Sequence, residues 1–211
     1  MNPTFSALCR NYPDLASCRD DIESAYTLLE RSFASGHKLL VCGNGGSASD
    51  SEHLVGELMK GFVLKRALSD EVRARFAAEF GDAGAALATQ LEGALPAIAL
   101  TGHTSLSTAV ANDGAPDAMF AQQVWGYGRS GDVLLAITTS GNSVNVLNAL
   151  RVARVKGLKT IGLTGVSGGA MKALCDVTIC VPSETTHEIQ ERHLPIYHAL
   201  AIALETRFFG G

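Results

Sequence analysis

The sequence predicts an α/β fold in which a parallel β-sheet is covered by helices on both faces. Two observations predict it. Five short runs, residues 37–42, 96–101, 132–138, 158–164 and 176–181, are largely apolar rather than alternating, as strands buried on both faces must be. Between them lie stretches whose apolar residues recur at three- and four-residue spacing, and strand alternating with helix gives parallel strands joined by helical crossovers.

Taken in order, residues 14–33 place Leu15, Cys18, Ile22, Ala25, Leu29 and Phe33 on one helical stripe, so the chain opens with an amphipathic helix that Gly36 ends. That stripe is apolar enough to serve as a contact between subunits. The first strand then stops at Gly43-Asn-Gly-Gly-Ser47, and a helix over 50–59 follows with Leu54 and Leu58 on one side. Residues 68–91 interrupt the alternation. Ser69 can cap a helix that holds Asp70 and Glu71 in its first turn and Val72, Phe76 and Phe80 at four-residue spacing, until Gly81-Asp-Ala-Gly84 breaks it before a second short helix. This is a helical insertion between the first and second strands. A helix over 144–156 is closed by Gly157, and the last helix covers 186–208.

At 211 residues, with 46% apolar and 18% charged residues, the chain has enough core for one domain, residues 1–211. A net charge of −4 without a basic stripe argues against binding nucleic acid through its phosphates. No run of about 18 apolar residues could span a bilayer, and the first twenty residues lack a signal-peptide core. A cytoplasmic protein without membrane contact is expected. Cys9, Cys18, Cys42, Cys175 and Cys180 form no CxxC pair, which predicts reduced, mostly buried thiols.

Two loops carry the polar groups that chemistry needs. Residues 138–143, Thr-Thr-Ser-Gly-Asn-Ser, follow a strand and precede a helix, so backbone N–H groups and the hydroxyls of Thr138, Thr139, Ser140 and Ser143 converge at a helix N-terminus. A phosphate would be held there by hydrogen bonds and the helix dipole, without a lysine. Capping the helix would need one hydroxyl, and the loop holds four. The earlier turn, Gly43-Asn-Gly-Gly-Ser-Ala48, fits the G-x-G-x-x-A spacing of dinucleotide sites, but the second strand ends in threonine, not in the acidic residue that binds a ribose. No nucleotide cofactor is expected. Asn44, Gly45, Gly46 and Ser47 instead bring backbone and polar groups close to a small ligand.

These loops, with residues 51–57 (Ser-Glu-His-Leu-Val-Gly-Glu), Asn112-Asp113 and the stretch from Ile189-Gln190 to His198, stand in the order found in phosphoheptose isomerases. Except at residues 64–93, the chain resembles the sugar isomerase (SIS) family over nearly its whole length. The resemblance implies a three-layer αβα sandwich with a five-stranded parallel sheet, assembled as a homotetramer with active sites at subunit interfaces. It implies conversion of sedoheptulose 7-phosphate to D-glycero-D-manno-heptopyranose 7-phosphate, a precursor of bacterial surface heptose. Glu57 and His198 become the catalytic pair, Thr138, Thr139, Ser140 and Ser143 the phosphate loop, and Asn44, Ser47, Asn112, Asp113 and Gln190 the substrate contacts. A zinc ion held by His53, Glu57, Gln190 and His198 is also implied. The chain departs from the family at His187-Glu188, where an aspartate–arginine pair is common, and in its longer insertion at 68–91.

The residue types suit the chemistry. An aldose–ketose isomerase moves a proton between adjacent carbons through an enediol, which needs a base at carbon and an acid or electrophile at oxygen. His53 and Glu57, four apart, share a helix face. Gln190 and His198, eight apart, lie about 80° from each other around a helix and are expected to reach the same cleft. Zinc there would act as a Lewis acid on the carbonyl. His187 is placed to line the cleft, and His37, His103 and His193 are expected to have no catalytic role. The alternatives are a non-catalytic SIS protein that binds a partner such as the replication initiator, against which the Glu57–His198 pair argues, and an isomerase for a different phosphosugar. A sugar-phosphate-sensing regulator would need a helix-turn-helix domain, for which the N-terminal stretch is too short.

Overall fold

Strands β1 (Leu39–Gly43), β2 (Ala97–Ala99), β3 (Val133–Ile137), β4 (Lys159–Thr164) and β5 (Val177–Cys180) lie parallel in the order β2-β1-β3-β4-β5 in the computed structural model, which describes residues 2–210. Central β1 pairs Leu39 with Ala97 on one side and with Val133 on the other. All five residues of β1 and of β3 are buried, which is why these runs show no polar alternation.

The described residues form eight α-helices, most of which pack on the sheet: α1 (Pro3–Asn11), α2 (Arg19–Ala34), α3 (Gly46–Met59), α4 (Asp70–Gln90), α5 (Thr104–Asn112), α6 (Met119–Tyr127), α7 (Val144–Val155) and α8 (Thr186–Phe209). Leu39, Val41, Val133, Leu135 and Ile137 point to one face, where α1, α2, α3 and α8 complete a core. Leu40, Cys42, Leu134 and Ala136 point to the other, against α6 and α7. Two cores on one sheet make the expected three-layer sandwich. Cys18 and Cys42 are buried, and all five thiols are free.

The N-terminal region differs from its expected form. Pro13 starts a 3-10 turn over Pro13–Cys18, and α2 begins only at Arg19; a further helix, α1, precedes them, with the Asn2 side chain accepting from Thr4 N. The stripe of Leu15, Ile22, Ala25, Leu29 and Phe33 is not free for another subunit. It is consumed in the chain's own core beside α8, because α2 lies on the sheet face that α8 also covers.

The insertion has its expected form. Ser69 accepts from Val72 N at 3.4 Å, and Gly81, at φ 59° and ψ −139°, breaks α4 into two arms. The arms fold back tightly, since a Cβ on Gly84 would lie 2.0 Å from the Phe76 carbonyl oxygen. At the base, Gly93 N donates to Arg66 O at 2.6 Å. Phe80 and Leu87 on the outer surface remain exposed.

Beside that base lies a buried clamp. Glu205, on α8, accepts from the backbone N–H groups of Phe62, Val63 and Leu64 at 2.8, 2.8 and 3.0 Å and from Arg66 Nε at 2.8 Å. The rest of the Arg66 guanidinium donates to the carbonyls of Leu58 and Glu57 at 2.7 and 2.8 Å, satisfying the last turn of α3.

Candidate functional site

β2 and β3 flank β1 on opposite sides, so the loops leaving the C-terminal ends of β1 and β3 diverge and open a crevice, the usual ligand position in a parallel sheet. One loop leads into α3 and the other into α7. Space dictates the glycines: a Cβ on Gly43 would lie 2.7 Å from the Ser47 carbonyl oxygen, and one on Gly46 would lie 2.3 Å from Gln190 Nε2. Between the loops is a cavity of ≈ 320 Å³. Its walls include the predicted Asn44, Gly45, Gly46, Ser47, Thr138, Thr139, Ser143 and Gln190, together with Thr186, which the sequence reading missed.

Neither N-cap residue caps its helix with its own side chain, although Asn145 Oδ1 accepts from Val146 N at 2.9 Å in the first turn of α7. Gly45 is the N-cap of α3, and Ser143, the N-cap of α7, pairs its hydroxyl with that of Thr138 at 2.9 Å instead. Capping therefore does not explain the hydroxyls, and two helix N-termini border one cavity, which favours an anion. Ser140 stands apart. It is exposed, and its hydroxyl accepts from Asn142 N at 3.2 Å, shaping the turn rather than the cavity wall. Asn145, also missed, exchanges two amide hydrogen bonds of 2.9 Å with Asn44 and so ties the two loops together.

A second group of polar residues lies farther along α3. Asp50, His53 and Glu57 are spaced by three and four and share one face, and α8 runs beside them with Tyr197 and His198. His53 Nε2 is 3.2 Å from Glu57 Oε1 and 3.5 Å from His198 Nε2. Its Nδ1 is 3.1 Å from the Tyr197 hydroxyl, which donates to Asp50 Oδ1 at 3.2 Å. The Phe62 ring leans on His198 with centroids 5.2 Å apart. Glu57 Oε2 is buried without a hydrogen-bond partner, and Lys60 Nζ stays 3.9 Å from it. Burial and the neighbouring His53 push the His198 imidazole below the usual histidine range, against the opposite pull of Glu57. Burial raises the Asp50 carboxyl, against its hydrogen bond from Tyr197 and the charge of His53.

The SIS domain family matches residues 14–92 and 74–165. The chain is 37% identical over 201 residues to the phosphoheptose isomerase of Akkermansia muciniphila, covering 95% of this chain and 93% of that protein. It is 39% identical over 209 residues to that of Rhodospirillum rubrum, covering 97% of each. The chain belongs to the phosphoheptose isomerase family of SIS-domain proteins. Solved structures of the family agree. The Francisella tularensis phosphoheptose isomerase superposes with a TM-score of 0.76 at 32% identity over 96% of this chain and 94% of that one, and the Neisseria gonorrhoeae one with 0.69 at 30% over 95% and 98%.

In this phosphoheptose isomerase family member several expected site residues lie elsewhere within the single chain. Gln190 packs against Gly46 in the loop cavity and does not join His53, Glu57 and His198. Its eight-residue separation from His198 is also a rise of about 12 Å along α8, which the angular argument left out. Asn112 and Asp113 end α5, a helix with no buried residue, and are exposed away from the cavity walls. His187 is exposed as well, and Thr186 takes the lining position. His193 is fully buried, and burial pushes it down to about 4, so it is a neutral core residue.

Among the described residues no three or more His, Cys, Asp or Glu side chains are gathered into a ready-made metal cage. The donor chemistry of three side chains nonetheless fits zinc. Zn–N and Zn–O bonds of about 2.0–2.1 Å make the edges of a tetrahedron about 3.3–3.4 Å, and the His53–Glu57 and His53–His198 separations of 3.2 and 3.5 Å bracket that value. The unpartnered Glu57 Oε2 leaves a carboxylate lone pair free. Gln190 of the same chain does not supply a fourth donor.

Proposed function

We propose that the protein is a phosphosugar aldose–ketose isomerase that converts sedoheptulose 7-phosphate to D-glycero-D-manno-heptopyranose 7-phosphate through an enediol, feeding bacterial surface heptose synthesis in the cytoplasm. The observation that carries this is the pairing, on α3, of a helix start that borders the loop cavity with His53 and a Glu57 carboxylate that has an unused oxygen, joined by His198 from α8. The loop cavity takes the phosphate. Glu57 takes the proton from carbon, and His198 serves the carbonyl and hydroxyl oxygens as acid and base. His53, Glu57 and His198 would hold zinc, which when bound would supply Lewis-acid polarisation of the carbonyl. Incubation with pentose, hexose and heptulose phosphates, followed by NMR for aldose formation, tests the assignment; turnover confined to another chain length would transfer it to that sugar.

The phosphate assignment makes its own prediction. Thr139→Val combined with Ser143→Ala is expected to raise KM for the phosphosugar at least 10-fold, because two hydroxyls at the anion site are lost at about 1 kcal/mol or more each. An unchanged KM would remove the phosphate from this loop.

The active form is a homotetramer with each site shared between subunits. Glu57 lies eleven residues beyond Gly46, about 16 Å along α3. Seven carbons and the ester link to phosphorus, with bonds of about 1.5 Å, span roughly 12 Å at full stretch, so one chain's loop and Glu57 are bridged only by a fully extended sugar, and a site drawn from two subunits relieves that demand. Exposed Trp125, Phe80 and Leu87 offer apolar surface for the contacts. Refolding Glu57→Gln subunits together with loop-variant subunits is expected to restore activity that neither shows alone. Failure to complement, or a fully active monomer in light scattering, would overturn the shared site.

A further inference from the structure

Tyr197 is almost fully buried at 1% exposure, yet its hydroxyl sits between two polar atoms, Asp50 Oδ1 at 3.2 Å and His53 Nδ1 at 3.1 Å. The hydroxyl has one proton to give. An ionised carboxylate only accepts, so the phenol proton goes to Asp50, and the phenol oxygen is left to accept from His53. The second oxygen of Asp50 is buried without a partner, so Tyr197 is the carboxylate's hydrogen-bond donor. His53 Nδ1 must then carry a hydrogen. On the opposite side of the ring, Nε2 meets Glu57 Oε1 at 3.2 Å and His198 Nε2 at 3.5 Å. With the hydrogen on Nδ1, a bare Nε2 lone pair against a carboxylate is repulsive, so that edge is set for a cation between the two.

We propose that Asp50 and Tyr197 are positioning residues that lock His53 in its Nδ1–H form and aim its Nε2 lone pair at Glu57 and His198. The chain Asp50–Tyr197–His53 does through a phenol what a carboxylate bound directly to a metal-ligating histidine does elsewhere, fixing ring orientation and tautomer together. Tyr197 is well held for this task. Its ring meets those of His53 and His198 edge-on, with centroids 5.6 and 5.1 Å apart, so the hydroxyl is rigidly placed. The sequence pattern hides the device: a tyrosine inside the apolar run of α8 reads as core, and Asp50 reads as a solvated helix residue.

The inference rests on the proposed site, but its first test does not need activity. In metal-free, substrate-free protein, long-range 1H–15N correlation of the His53 ring should show Nδ1 protonated. In Tyr197→Phe, which keeps the ring packing, the Nε2–H tautomer should gain population. An Nε2–H tautomer in the wild type, or a tautomer unaltered in Tyr197→Phe, would overturn the relay whatever the protein catalyses. The second test titrates zinc against a chromogenic chelator. Tyr197→Phe should bind zinc about 10- to 100-fold more weakly than the parent, the usual cost of losing such an outer partner. Equal affinity, or no zinc binding by either protein, would refute the claim that the Nε2 edge is set for a cation. Absence of phosphosugar turnover and of carbon-bound proton exchange in the parent protein would instead count against the isomerase assignment and leave the tautomer result standing.

Discussion

Glu57→Gln is expected to lower turnover of the phosphosugar by about 10²- to 10⁴-fold, the range for losing one positioned acid–base group, and to abolish exchange of the carbon-bound proton with deuterated water. The amide is nearly isosteric with the carboxylate but is no base at neutral pH. Glu57 is fitted for the role by what surrounds it: Oε1 faces His53 Nε2 at 3.2 Å, and Oε2 is buried with no donor assigned to it. Substrate binding should change little, because the loop cavity proposed to take the phosphate lies at the other end of α3. Solvent exchange near the parental rate would exclude Glu57 as the base, and a KM raised in step with the fall in turnover would make it mainly a ligand. His198→Asn should lower turnover in the same direction while sparing the phosphate contacts.

Glu205→Ala should destabilise the fold by about 3–5 kcal/mol, the cost of leaving a buried ion without its partner. Arg66 and Glu205 are 1% and 0% exposed, so water does not replace what is removed. The loss also exceeds that of a simple ion pair, since the backbone N–H groups of Phe62, Val63 and Leu64 are left without their acceptor. Replacing both members of the pair with apolar residues would therefore not restore stability. Burial alone would raise the Glu205 carboxyl; the N–H groups of Phe62 and Val63, the Arg66 guanidinium and Leu64 N–H outweigh it and hold the carboxyl below its ordinary value. Its contribution is accordingly complete above the ordinary glutamate pKa and is lost as pH falls through the lowered one. Denaturant unfolding at fixed protein concentration measures the effect, and a loss under about 1 kcal/mol would show that the clamp relaxes around the gap. The site should suffer too, because the clamp sets Phe62 against His198 and satisfies the carbonyls of Glu57 and Leu58.

Much of this molecule is legible in local sequence. The continuous apolar runs identify all five strands because a strand buried on both faces has no solvated side to mark with polar residues. Gly81 and Ser69 locate the break and the start of the insertion because each answers a local backbone need. The loop at residues 138–143 stands out for the same reason: four hydroxyls at a strand-to-helix turn exceed what a cap requires, and Thr138, Thr139 and Ser143 line the cavity.

Other features depend on contacts between distant segments. The apolar stripe of Leu15 to Phe33 could have met another subunit; that α8 shares its sheet face, and buries it, follows from the packing of the two helices. Angular position on a helix suggested that Gln190 and His198 converge, but the rise along the axis separates them and leaves Gln190 beside Gly46. Tyr197, Asn145 and the Arg66–Glu205 clamp act through partners from 101 to 147 positions away, except for the helix-end carbonyls that Arg66 meets locally. The sequence by itself determined the sheet, its crossovers and the chemistry of its loops, because these are set by periodicity and by turn residues within a few positions. The tertiary structure alone decided which side chains face one another, because that depends on helix offset and rotation, which no local pattern records.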